Sequence, residues 1–188
     1  MPAVSPASLP PSSIRRFLLV AVALYGLWFF GYERWLAVDG RLDAALSANI
    51  TAASAFALRL FGFAAAVDAQ DPYMVLLNGQ PVVHVGNPCN GLILYALFAG
   101  FVLAFPGPVR RKLWFIPLGM AAIYLLNIIR VGGLALNHLY YHESVEFNHH
   151  YTFTFVVYAC IFLLWMLWAR RLAGPPPGSA DHSAPAYA

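Results

Sequence analysis

Five apolar stretches joined by short polar links dominate this chain, and they confine it to folds that a lipid bilayer can hold. The sequence is 61% hydrophobic and 15% aromatic, with only 10% charged residues, against roughly 25% charged in a typical soluble domain. That balance reads as an integral, all-α membrane protein. At 188 residues it has the length of one domain. A formal charge of +3 is too small and too scattered for nucleic-acid binding.

Charge placement decides which stretches cross. Of the 11 basic residues, most fall in three clusters: Arg15 and Arg16, Arg110 to Lys112, and Arg170 and Arg171. Nearly all the acidic residues lie between those clusters: Glu33, Asp39, Asp43, Asp68, Asp71, Glu143 and Glu146. Basic short loops mark the cytoplasmic face. Both termini and the 106–112 loop are then inside, which requires an even number of crossings. The second stretch is the weakest, because Arg59 in its middle would cost about 2.5–3.5 kcal/mol near mid-bilayer. It is expected as an interfacial or re-entrant helix over 46–67 on the outer side. Four spans remain, over about 14–36, 90–106, 113–135 and 151–169. The first follows Arg15-Arg16 as a signal peptide would. No small-x-small cleavage site closes it, and Trp35-Leu36 extend it, so an uncleaved anchor is expected. Residues 1–13 and 173–188, rich in Pro, Ser, Ala and Gly, read as disordered cytoplasmic tails. The body of the chain, 14–172, is read as a single domain.

Residues 72–86 predict a small outer β-hairpin, since Asn78-Gly79 is the preferred two-residue turn between extended arms. Pro81 marks an exposed edge. This hairpin leads directly into Asn87-Pro88-Cys89-Asn90-Gly91, which stands ahead of the third apolar stretch. Asn87 as N-cap and Pro88 at the first helical position would put Cys89 in the first turn of a helix. Unpaired amides and the helix dipole there favour the thiolate, the nucleophilic form. The other cysteine, Cys160, lies deep in the last span, roughly 14 Å from its start. Two cysteines at such different depths make no disulfide framework.

Arg130 closes the next apolar stretch, with Asn127 on the same helical face at i, i+3 spacing. An arginine on an outer face either snorkels to headgroups or has a partner or a role, such as stabilising a developing oxyanion. His149-His150 begin the last span at the depth expected of Cys89, within reach of general-base work on a thiol. His138 and His142, at i, i+4 spacing, with Glu143 and Glu146 nearby, also suit a metal.

Asn-Pro-Cys-Asn-Gly-Leu at 87–92, Asn-Ile-Ile-Arg at 127–130 and Phe-Asn-His-His-Tyr-Thr-Phe at 147–153, in that order, resemble the exosortase/archaeosortase family over roughly residues 80–170. The chain is short for that family. The resemblance implies a membrane thiol protease or transpeptidase whose site faces outward from the cytoplasmic membrane. It carries over here as catalytic Cys89, Arg130 and His149, with His150 as the alternative. It implies as partners exported proteins that end in a short motif, a transmembrane helix and a basic cluster, with a lipid or other surface acceptor. That reading calls for no cofactor and no metal. Its competitors are a non-enzymatic component of an export or polysaccharide system and a histidine-rich metal or redox membrane protein.

Overall fold

The computed structural model describes residues 11–140 and 153–174. It is mostly helical, with a small three-stranded sheet. The first helix, α1, runs Pro11–Leu27 and continues through a π-helical stretch, Trp28–Leu36, to Ala37–Asp39. It therefore begins inside the stretch read as a tail. Gly40, at φ 68°, breaks the chain sharply into α2, Arg41–Leu60.

Here the structure corrects the sequence reading of 46–67. The helix starts earlier, with Asp43 in its first turn, and Arg59 lies in its last turn over the Phe56 ring rather than in mid-segment. Residues Ala65–Val67 are not helical at all. They form β1, an edge strand beside the expected hairpin of β2 (Met74–Leu77) and β3 (Gln80–His84), in the order β1-β2-β3. Alanines favour helix locally, but strand pairing of Ala65 with Leu77 and Val67 with Val75 overrides that preference. The hairpin turn is as expected, with Asn78 at φ 52° and Gly79 at φ 77°. Pro81 lies in β3, at the other edge, beside a bulge opposite Val75 and Leu76.

A short helical turn, Asn87–Cys89, joins the sheet to α3, Leu92–Ala104. Then come α4, Val109–Tyr140, and α5, Phe153–Leu167 with a π-helical end, Trp168–Leu172. Of these helices, α1, α4 and α5 are long and apolar enough to cross a membrane. Helix α3 is apolar but has 13 residues, about 20 Å of rise against a hydrocarbon core of roughly 30 Å. Large side chains such as Leu19, Val22, Phe155 and Leu163 are exposed on the outer surface, as lipid-facing positions require.

Helix α4 is the spine. Its buried residues Phe115, Gly119, Ile123, Asn127, Val131, Leu134 and Ala135 recur at spacings of three and four, and so form one face. The N-terminal half of that face packs with Phe98, Val102, Val157, Ile161 and Trp168 of α3 and α5. The C-terminal half packs with Ile50, Ala55 and Leu58 of α2 and with Val75, Leu77 and Val85 of the sheet region. Two cores are thus stacked along one helix, and the Cys89 turn meets α4 between them.

The basic clusters gather at one end. Arg111 Nη1 donates to Leu172 O at 2.8 Å, and Lys112 Nζ donates to Leu103 O and Phe105 O at 2.8 and 2.7 Å. Phe17, next to Arg16, packs edge-on against Phe101 and Phe105. The sheet and the Cys89 turn lie toward the opposite end of α4, packing with Val131 and Ala135.

Candidate active site

The Cys89 turn has its own local logic, and it differs from the one expected. Asn87 and Pro88 start a single turn of 3₁₀ helix, closed where Cys89 N–H donates to Gly86 O at 2.8 Å. The capping of α3 falls to the next pair instead. Asn90 Oδ1 accepts from Leu92 N–H at 2.9 Å, and Gly91 occupies the left-handed region at φ 83°. Cys89 therefore stands before α3 rather than in its first turn. Both asparagines suit a cap. The glycine decides between them, because only the residue after Asn90 tolerates positive φ without strain.

Cys89 is half-buried and packs at the margin of the core formed by α2, the sheet and α4. Its carbonyl accepts from Asn127 Nδ2 at 2.8 Å. Asn127 is fully buried on the inward face of α4, and one helical turn further along is Arg130. The i, i+3 spacing thus places an amide on the Cys89 backbone and, one turn along the same helix, a guanidinium; Cys89 itself does not line the cavity at Arg130.

Arg130 lines a cavity of about 250 Å³ with Asn87, Gly91, Leu92, Ile93 and Leu94 from the turn and α3, and Val157 and Tyr158 from α5. Its Nε is buried and has no hydrogen-bond partner among the described residues. A guanidinium is a five-donor cation that stays charged at any working pH. Leaving one of its donors dry and unmatched costs roughly 1–3 kcal/mol. Such an atom suits an anionic or oxyanionic group brought by a ligand. The rest of the cavity wall is mostly apolar, as ligand-binding cavities commonly are.

His149 and His150 lie outside the described residues, as do His142, Glu143 and Glu146. The described part of α5 begins at Phe153, three residues after His150. Val157 and Tyr158, on the next turn, already line the cavity. His138 is in the last turn of α4. Cys160 is half-buried within α5 and does not line the cavity.

One feature of the site was not visible in the sequence. Asp43, 1% exposed on α2, accepts from Asn90 Nδ2 at 2.6 Å and from Tyr32 Oη at 2.7 Å. It belongs to a buried polar row with Ser47, Thr51 and Ser54. The spacing of that row at i, i+4, i+8 and i+11 was the signal available. The alanines interspersed among its small residues hide that row in the sequence.

A family model described as transmembrane exosortase matches residues 12–167. No curated protein and no solved structure matches the chain.

Proposed function

The chain belongs to the transmembrane exosortase family, and from that premise we propose that it is a thiol peptidase or transpeptidase acting on the C-terminal sorting tails of exported proteins. The Cys89 thiolate attacks the carbonyl carbon of the scissile peptide, after His149 has taken the thiol proton. The carbonyl electron pair moves onto oxygen, and Arg130 stabilises that oxyanion from the cavity wall. Collapse of the tetrahedral intermediate breaks the C–N bond, and His149 returns the proton to the departing amine. A thioester on Cys89 remains, which an amine or lipid nucleophile, or water, resolves.

The observation that carries this reading is the buried Nε of Arg130, without a partner among the described residues, in a cavity lined also by Asn87 and Gly91, each two positions from Cys89. The position of α5 agrees with it, since the helix that follows the histidine pair lines the same cavity. The clustering of the basic segments around Leu172, Leu103 and Phe105 supports an outward-facing site, because that end belongs on the cytoplasmic side. On this reading the body of the chain, 14–172, acts as one domain in the cytoplasmic membrane, with both termini on the cytoplasmic side. The substrates are exported proteins ending in a motif, one transmembrane helix and a basic cluster.

The test compares surface proteins from cells carrying the native chain and cells carrying Cys89→Ala, by mass spectrometry of their C-termini. A set of proteins that keep their C-terminal helices only in the Cys89→Ala cells is expected. Equal processing in both strains removes the thiol from the reaction.

A further inference from the structure

We propose that Asp43 is a positioning residue for the Cys89 thiol, acting through Asn90; the inference rests on reading Cys89 as the nucleophile. The carboxylate joins three elements: α1 through Tyr32 Oη at 2.7 Å, its own helix α2, and the thiol turn through Asn90 Nδ2 at 2.6 Å.

The chemistry of the donor set makes this link directional. Asp43 accepts through both oxygens, Oδ1 from Asn90 and Oδ2 from Tyr32, so the amide of Asn90 presents Nδ2 to Asp43 and Oδ1 to the opposite side. That orientation lets Oδ1 accept from Leu92 N–H at 2.9 Å and cap α3. A flipped amide would set oxygen against carboxylate and –NH₂ against N–H, which is wrong at both ends. Asp43 therefore fixes which way Asn90 faces, and Asn90 fixes where the turn hands over to the helix.

Cys89 is the residue immediately before Asn90, and its own carbonyl is held from the other side by Asn127 at 2.8 Å. The backbone flanking the thiol is thus clamped between a buried acid on α2 and a buried amide on α4. Both clamping side chains are 1% exposed; the Asp43 contact is buried and the Asn127 contact part-buried. Tyr32 lies in the π-helical part of α1, so the first helix of the chain also bears on the position of the thiol.

The test measures alkylation of the two cysteines by iodoacetamide in membranes holding the full chain, with each cysteine peptide followed by mass spectrometry. Asp43→Ala and Asn90→Asp should each speed alkylation of Cys89 about tenfold, because the turn opens more often once the clamp is unmatched. Cys160 should be unchanged. The exchanged pair, Asp43→Asn with Asn90→Asp, should bring Cys89 back to within about twofold of the native rate. In that pair the amide at position 43 donates to the carboxylate at position 90 and accepts from Tyr32. The carboxylate still accepts from Leu92 N–H.

Native Cys89 rates in both single variants would overturn the proposal. So would acceleration at both cysteines together, which signals general loosening, or an exchanged pair as reactive as the single variants. If a single variant does not accumulate, the exchanged pair decides against wild type: accumulation at the native rate supports the clamp, and fast alkylation or failure to accumulate overturns it. The readout does not depend on peptide cleavage, so this pattern stands or falls apart from the peptidase reading.

Discussion

Gly91→Ala should be the most damaging single methyl in the thiol turn. Gly91 sits at φ 83°, where a Cβ would meet Tyr95 Cζ and Oη at 3.3 Å and Asn127 Nδ2 at 3.4 Å. The left-handed backbone costs an alanine about 1–2 kcal/mol. The crowded ring and amide add about 1–2 kcal/mol more, near the lower end of overpacking costs. Neither neighbour can retreat easily. Tyr95 is 7% exposed, and its N–H is bonded to Gly91 O at 3.0 Å, while Asn127 is held by Cys89 O. The total, roughly 2–4 kcal/mol, is a large share of a typical stability of about 5–15 kcal/mol. Gly100→Ala supplies the control. Its Cβ would meet nothing nearer than Leu24 Cδ1 at 4.0 Å, and alanine there should stabilise α3 by about 0.5–1 kcal/mol. The assay is equilibrium unfolding of both variants in the same detergent, with substrate processing measured alongside. A Gly91→Ala protein no less stable than Gly100→Ala, and fully active, would refute the left-handed cap and the close packing inferred around it.

Arg130→Lys should lose most processing activity although the charge is kept, because a compact ammonium cannot reproduce the planar fork at the cavity wall; near-normal turnover would make Arg130 a snorkelling residue. His149→Ala should lose about 10²–10⁴-fold in cleavage, and His150→Ala should show a smaller, packing-sized loss. The reverse order would move the base by one residue, and full activity in both would remove histidine from the mechanism. A membrane-impermeant thiol reagent added to intact cells, with any outer barrier permeabilised, should label Cys89 and leave Cys160 unmodified. Labelling of Cys89 that appears only after lysis would invert the topology.

Much of the site was legible because local spacing reports on a helix face. Asn127 and Arg130 are one turn apart on a continuous helix, so the amide that reaches Cys89 O and the guanidinium in the cavity had to share a side. The Asn78-Gly79 turn was legible for a similar reason, since positive φ at both positions suits those two residue types. The cap of α3 was not, because Asn87-Pro88 and Asn90-Gly91 both offer plausible local chemistry. Gly91 in the left-handed region settles the choice for the second pair, and the Asp43 contact that accompanies Asn90 lies 47 positions away. Nor did composition reveal that Asp43 is buried, because a carboxylate followed by alanines looks like the solvated start of a surface helix. Ala65 to Val67 illustrate the same limit: their strand identity comes from pairing with β2, which no local preference encodes.

The central claim is that a peptide acyl group passes through the sulfur of Cys89, and trapping that acyl group tests it most directly. The full chain in membranes would be mixed with a tailed substrate, quenched in acid, digested and examined by mass spectrometry for an adduct on the Cys89 peptide. The predicted result is a substrate-derived acyl mass on Cys89, released by hydroxylamine as a thioester is, and absent from Cys160 and from Cys89→Ala. Continued cleavage by Cys89→Ala, with no adduct on the native protein, would contradict it.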